Sequence, residues 1–386
     1  MCTGSDACAT KNSCDSFYAI WPCNPVAAGR PLPQGICLAM NETIRLGVVG
    51  VGHLGSQHAR IYSELARRSN GQCQFVGIFD TDNIKLRALA EKVGSGTFTS
   101  AEEMTRFVDA VSIATPTEMH YKVARVFLEQ GKHVLVEKPI TNNLQEAEEL
   151  VLLARKNKCV LQVGHVERFN PVMRYLNDML KEARFIEVHR LSPYPGRSTD
   201  IGVVLDLMIH DLDVVLSLVK SPLAAIDAVG IPVLSASEDI ANARLKFANG
   251  CVANITASRV SAERMRKIRI FGRTEHGAAY ISLDYMKQEG EIYRVASDDA
   301  QESGLLKKLL AGKHASIVSE FAGKKIVREP VPIERDEPLK LELQHFIESV
   351  RLHRDPLVTG EAGKQALEVA MEITALIGRV SSEASG

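Results

Sequence analysis

Long hydrophobic runs are missing from this sequence. No stretch approaches the ~18 consecutive apolar residues of a membrane span; even the apolar segment 203–219 is broken by Asp206, His210, Asp211 and Asp213. A charge excess is missing as well, because 46 Lys and Arg stand against 47 Asp and Glu for a formal net charge of −1. Nucleic-acid binders and polybasic membrane proteins need a cationic surplus, so both classes are set aside. Beyond residue 37 only Cys73, Cys159 and Cys251 remain of the 8 cysteines. So few dispersed thiols point to a reducing, cytoplasmic compartment. No internal repeat shows itself.

The other five cysteines, Cys2, Cys8, Cys14, Cys23 and Cys37, crowd the start of the chain together with the single tryptophan, Trp21. That segment has no hydrophobic periodicity, and its apolar patch at 17–21 is too short for a signal-peptide core. Its spacings do not match paired zinc ligands. Residues 1–39 therefore read as a disordered or non-native extension. The working protein is expected to begin at Met40.

What is present is ample core material. Hydrophobic residues make up 45% of 386, a length that suggests about two to three domains. Residues 44–49 form an apolar run ending in Gly50-Val51-Gly52-His53-Leu54-Gly55, and a helical pattern follows to about Arg68. Strands are then predicted at 75–79, 110–114, 133–136 and 160–163, with helices at 83–93, 101–107, 117–130 and 144–158. Strands alternating with helices imply a parallel sheet covered on both faces. After Gly164 the rhythm changes. A long helix at 201–218 precedes strand-like runs at 226–233, 241–247, 251–258, 267–271 and 278–283, with Asn249-Gly250 marking a hairpin. Residues 299–325 show no assignable pattern, and helices at 339–352 and 361–377 end the chain. The expected fold is an α/β Rossmann dinucleotide-binding domain over 40–163, followed by an α+β domain with a mostly antiparallel open sheet over 164–386.

Three signals carry chemistry. The turn Gly50-x-Gly52-x-x-Gly55 sits between a strand and a helix, where glycines permit a tight turn, close approach of a pyrophosphate and close helix packing. The helix N-terminus then offers free N–H groups to phosphate. Asp80 ends the next strand, where an acid accepts hydrogen bonds from adenosine ribose hydroxyls. It is followed by Thr81-Asp82 rather than arginine, which favours NAD over NADP. The second signal is Glu137-Lys138-Pro139 at a strand's carboxyl end, so that Lys138 points toward the cofactor crevice. The third is Asp206-x-x-x-His210 in an apolar helix, a spacing that puts both on one face. Leaving them unpaired in a core would cost a few kcal/mol, so they pair or line a polar cleft. A metal would need further converging ligands that the sequence does not identify, and none is expected.

Together these motifs closely resemble the glucose–fructose oxidoreductase/inositol dehydrogenase/MocA superfamily, a resemblance that runs from Thr43 to the C-terminal helices. Further matches lie in Gly164-His165-Val166-Glu167-Arg168-Phe169-Asn170-Pro171 and in Pro356-Leu357-Val358-Thr359-Gly360-Glu361. Residues 190–197 running into 204–211 look like the UDP-N-acetylglucosamine 3-dehydrogenase group. The resemblance implies an NAD-dependent dehydrogenase acting on a sugar hydroxyl, with His210 as general base, Lys138 on the reacting oxygen and Asp206 orienting. It implies cofactor contacts from Gly50, Gly52, His53, Leu54, Gly55, Asp80, Thr115, Pro116, His120 and Glu137. For a UDP-sugar, Arg168 and Arg197 would grip the diphosphate, while Asn170 and Tyr194 would read the amide or hydroxyls. It also implies functional coupling to an aminotransferase in making a 2,3-diamino sugar for lipid A, and a homodimer or homotetramer built through the second-domain sheet. A free-polyol dehydrogenase using the same Lys138, Asp206 and His210 is the alternative, and a non-catalytic NAD sensor stands behind it.

Overall fold

The computed structural model describes residues 43–194, 201–297, 316–321 and 324–383. The extension read at residues 1–39 and the expected phosphate ligand Arg197 lie outside them. No helix among the described residues is long and apolar enough to cross a membrane.

The first half builds a six-stranded parallel sheet, order β3-β2-β1-β4-β5-β6. Its strands are β1 (Ile44–Val49), β2 (Cys73–Phe79), β3 (Gly96–Thr97), β4 (Ala110–Ile113), β5 (His133–Glu137) and β6 (Leu161–Gly164). Leu46, Val48, Val111, Ile113, Val134, Leu135 and Val136 are wholly buried, as strands covered on both faces require. Helices α1 (His53–Arg68), α2 (Asn83–Val93), α3 (Ala101–Met104), α4 (Thr117–Glu129) and α5 (Leu144–Lys156) supply the cover. Asp82 and Asn143 cap α2 and α5 by accepting backbone N–H bonds, whereas Gly52 leaves the start of α1 without a side-chain cap.

The second half is a nine-stranded sheet, order β14-β15-β13-β12-β11-β7-β10-β9-β8. Strand β7 (Leu180–Leu191) lies in its interior, parallel to β10 (Val252–Ser258) and antiparallel to β11 (Met265–Thr274). The remaining strands are β8 (Leu223–Ile231), β9 (Ile240–Phe247), β12 (Gly277–Asp284), β13 (Glu289–Ser297), β14 (Ser316–Phe321) and β15 (Lys324–Pro330). All their pairings are antiparallel. Helices α6 (Pro171–Met179) and α7 (Ile209–Leu218) belong to the same hydrophobic core as one face, through Val172, Leu176, Leu212 and Val215 with Ile186, Val188, Ile268 and Ile270.

Among the departures from the sequence reading, two bear on how the domains meet. The helix expected over 201–218 is a π-helical turn at Val204–Met208 that passes into α7. The boundary at Gly164 separates the two sheets, but the chain returns across it. Leu343, Phe346, Ile347 and Val350 of α8 (Pro338–Arg351) pack with Leu46, Tyr62 and Leu135 of the first domain. Val358, just before α9 (Gly360–Glu383), accepts the Val163 N–H at 3.1 Å. The first domain's core is thus completed by the end of the chain.

Candidate active site

At the carboxyl end of β1, Gly50 holds φ +93°, and a Cβ there would meet the Ala114 carbonyl at 2.5 Å. A Cβ on Gly55 would overlap the Gly50 carbonyl, while one on Gly52 would meet nothing within 4 Å, leaving an open face over the turn. The first α1 bond joins Ser56 N to Gly52 O at 3.0 Å. The N–H groups of His53, Leu54 and Gly55 precede it, so they are the donors a helix N-terminus presents to phosphate. Asp80 is tied to this turn, its Oδ2 accepting Val51 N at 2.7 Å and its Oδ1 accepting Asp82 N at 2.8 Å. A carboxylate so held keeps lone pairs for ribose hydroxyls. A bare helix end, an open glycine face and a fixed acid fit a dinucleotide.

Behind this cradle the next two strand ends are braced to each other. His120 places its ring nitrogens 2.9 Å from Pro139 O and 3.0 Å from Thr115 O, across the turns that follow β4 and β5. Pro116 starts α4, and the Thr115 hydroxyl is buried without a partner among the described residues. Glu137 is buried against His58, whose Nε2 lies 3.0 Å away. Burial opposes its charge, but the His58 bond and Lys138 hold its pKa below the usual range. The side chains of His120 and Glu137 therefore support the turns from inside.

Lys138 reaches across to the second domain. Its Nζ donates to Asp206 O at 2.7 Å and lies 3.6 Å from Asp206 Oδ1. Asp206 sits in the π-helical turn, which Glu238 anchors through Val203 N–Glu238 O at 2.9 Å and Val204 N–Glu238 Oε1 at 3.3 Å. Such wide turns recur at functional sites because they re-aim groups within a helix. Burial lowers the Lys138 pKa, Asp206 and Glu137 push it back up, and Arg190 adds to the lowering.

His210 follows in α7. Its Nδ1 is buried with no partner among the described residues, so Nε2 is the nitrogen left to meet a substrate. Burial, then the charges of Lys138 and Arg190, hold its pKa well below 6.5, so the ring is neutral at neutral pH. His165 stands edge-on to it, ring centroids 6.1 Å apart, with both nitrogens buried and unpaired. The three groups expected to do chemistry are thus gathered between the two sheets.

The expected substrate readers fare differently. Arg168 is buried, with Nη1 3.4 Å from Asp213 Oδ1 and Nη2 3.4 Å from Leu357 O, so it clamps α7 to the C-terminal segment instead of facing a phosphate. Asn170 gives both N–H donors to Glu167 Oε2 and Tyr285 O and caps α6 with its oxygen. It has no donor left for a sugar. Tyr194 is half-buried beyond the end of β7.

Several residues were not singled out by the sequence reading. Arg190 takes both oxygens of Asp211, at 2.7 and 2.8 Å, and Glu167 Oε1 at 3.0 Å. On α8, Glu342 is fully buried with both oxygens unpaired among the described residues, and burial beside Glu137 and Asp213 raises its pKa well above the usual value. Arg266 lies directly across the β7–β11 ladder from Arg190.

A parallel sheet with a phosphate turn and a strand-end lysine, facing a histidine carried by a second domain, defines a dinucleotide-dependent oxidoreductase. Residues 44–165 match the oxidoreductase family, NAD-binding Rossmann fold, and residues 182–276 match the GFO/IDH/MocA C-terminal domain. The chain belongs to the GFO/IDH/MocA family and is an NAD-dependent dehydrogenase acting on a CH–OH group. It is 34% identical over 331 residues to UDP-N-acetylglucosamine 3-dehydrogenase of Acidithiobacillus ferrooxidans, covering 86% of this chain and 96% of that one. A solved structure of the UDP-N-acetylglucosamine 3-dehydrogenase from that organism aligns with TM-score 0.75 at 33% identity, over 87% of this chain and 98% of that one. The scyllo-inositol 2-dehydrogenase (NAD(+)) of Bacillus subtilis is 25% identical over 87% of this chain and 94% of its own. Levoglucosan dehydrogenase, solved with NADH and levoglucosan, shares the fold at TM-score 0.71 and 17% identity, over 88% of this chain and 98% of that one.

Proposed function

We propose that this enzyme oxidises the 3-hydroxyl of UDP-N-acetylglucosamine to a ketone. The observation that carries the reading is the 34% identity to UDP-N-acetylglucosamine 3-dehydrogenase, which spans 96% of that protein and so includes the domain that holds the sugar. When bound, NAD accepts the hydride from the carbinol carbon. His210 takes the hydroxyl proton at Nε2, and its lowered pKa keeps the ring neutral and ready. Lys138 hydrogen-bonds the same oxygen as charge builds on it. Asp206 keeps that lysine placed through its carbonyl at 2.7 Å. The glycine turn and Asp80 would hold the cofactor, which would supply the hydride acceptor.

The 3-oxo product is an acidic β-keto nucleotide sugar, which suits prompt capture by an aminotransferase. That order of reactions fits supply of a 2,3-diamino sugar for lipid A. We place the reaction in the cytoplasm, in keeping with Cys73, Cys159 and Cys251 standing as free thiols. A second copy of the chain is assigned to the open sheet face. There Phe185, Phe271, Tyr280 and Tyr293 form a cross-strand ladder with centroid spacings of 5.9, 4.6 and 5.3 Å. The pairs Arg269–Glu187 and Arg328–Glu291 give that face both signs of charge, which suits a self-complementary dimer.

The test follows NADH absorbance while UDP-N-acetylglucosamine, free N-acetylglucosamine and myo-inositol are offered in turn. Remote binding energy from the nucleotide positions the reacting carbon, so the free sugar is expected to lose turnover as well as affinity. Preference for myo-inositol would replace this reading with the polyol alternative.

A further inference from the structure

Arg190 and Arg266 occupy directly opposed positions on the β7–β11 ladder, on the face that carries Ile186, Val188, Ile268 and Ile270 into the core. Like charges so opposed destabilise a sheet unless something neutralises them. For Arg190 the neutralisation is complete: Asp211 takes it in bidentate fashion and Glu167 takes its remaining arm. Arg266 is different. The carboxylate it faces, Glu167 Oε1 at 3.5 Å, is already hydrogen-bonded to Arg190 at 3.0 Å, and its other oxygen accepts from Asn170. The Arg266 side chain is 49% exposed, against 4% for Arg190. Arg264, on the turn before β11, adds a further positive charge that acts on it.

The position relative to the reacting groups is also defined. Arg266 faces Arg190, Arg190 holds Asp211, and Asp211 adjoins His210 in α7. The charge of Arg266 is itself felt at His210. A half-exposed guanidinium of five donors, whose carboxylate neighbour Glu167 is 3.5 Å away and shared with Arg190, keeps donors to offer an incoming anion. In a nucleoside-diphosphate sugar the phosphate on C1 lies only a few bonds from the 3-carbon, so a group that holds the phosphate must stand near the one that takes the 3-hydroxyl proton.

Resting on the UDP-sugar reading above, we propose that Arg266 is the phosphate clamp of the substrate pocket, a specificity-determining residue that gives nucleotide sugars their advantage over free sugars. Guanidinium binds phosphate through parallel N–H bonds, a geometry that lysine cannot reproduce.

The experiment titrates UDP, and separately uridine, into the NAD-loaded enzyme by calorimetry, for the parent, R266Q and R266K. R266Q should bind UDP about tenfold to a hundredfold more weakly, with uridine unchanged. R266K should fall between the two, which also answers the question if R266Q does not fold. Steady-state rates should show KM for UDP-N-acetylglucosamine rising in R266Q while the affinity for NAD stays at the parental value. Parental UDP affinity in both variants would overturn the clamp and leave the UDP-sugar reading standing. A parent enzyme that binds UDP no better than uridine would overturn both.

Discussion

Acid should unfold this protein through its buried histidines, and His345 gives the clearest magnitude. Its side chain lies under α8, centroid to centroid 5.3 Å from Phe169, and the residue is 8% exposed. Nε2 accepts the Leu357 N–H at 2.8 Å, so that nitrogen carries no proton in the folded state. Burial, with the nearby charge of Arg354, lowers its pKa from 6.5 to about 4. Between these two values the unfolded chain binds more protons than the folded one, so stability rises with pH across that interval. The contribution is fully present above about pH 6.5 and is lost as pH falls through about 4; at 1.36 kcal/mol per unit the loss at pH 4 is about 3 kcal/mol. H345Q provides the control, since its carbonyl oxygen can still accept from Leu357 but nothing there titrates. Urea unfolding at pH 7 and pH 4 should show the parent losing about 3 kcal/mol more than H345Q. Equal losses in the two proteins would refute the buried neutral imidazole. His133, lowered to about 4 by burial and His353 and accepting Val160 N at 2.9 Å, adds acid sensitivity of the same sign, which both proteins share.

K138A and H210A should each cut turnover about 10²- to 10⁴-fold, while NAD affinity measured by fluorescence titration stays near the parent; near-parental turnover in H210A would move the proton acceptor elsewhere. D80A should weaken NAD binding by about 1.5–3 kcal/mol, and adding T81R should shift preference toward NADP; parental NAD affinity in D80A would remove the ribose role. If two copies join through the aromatic ladder as proposed, Y280K should run at monomer mass in size-exclusion chromatography with scattering detection where the parent runs at dimer mass. An unchanged mass would reassign that face.

Much of the first domain was legible because its strands are buried on both sides. Runs such as Ile44–Val49 and His133–Glu137 are nearly continuous apolar segments, and helices with clear amphipathic periods separate them. An interior strand of the second sheet, Leu180–Leu191, escaped for the opposite reason. Its inward positions run Ile186, Val188, Arg190, so a wholly buried arginine stands where the period of two calls for an aliphatic side chain. That residue is tolerable inside only because Asp211 and Glu167, distant in sequence, close around it. Strands β13 and β15 hid behind charges that pair across their ladder, Arg294 with Glu329 and Arg328 with Glu291. The return of α8 onto the first domain was hidden too, since an amphipathic period shows that a face is buried but not against which sheet.

The site divides along the same physical line. Glycine turns and strand-end residues announce themselves locally, and Gly50, Gly55, Asp80 and Lys138 stand where their spacing placed them. Arg168 and Asn170 adjoin the site in sequence, but a tight 3₁₀ turn at Val166–Phe169 and the start of α6 direct both side chains inward, where they hold helices together. Proximity in sequence to a motif does not say which way a side chain points. Arg266 shows the converse. It sits in a stretch that also offers Arg264, Lys267, Arg269 and Arg273, and nothing local separates one of these from the next. Only strand register does so. Lys267 and Arg269 fall on the outer face with Asp284 and Glu187 beside them, whereas Arg266 alternates inward, meets Arg190 across the ladder and keeps half its surface open. The cation that discriminates substrates is therefore selected by a pairing between strands some 75 residues apart, a relation that emerges only once the sheet has formed.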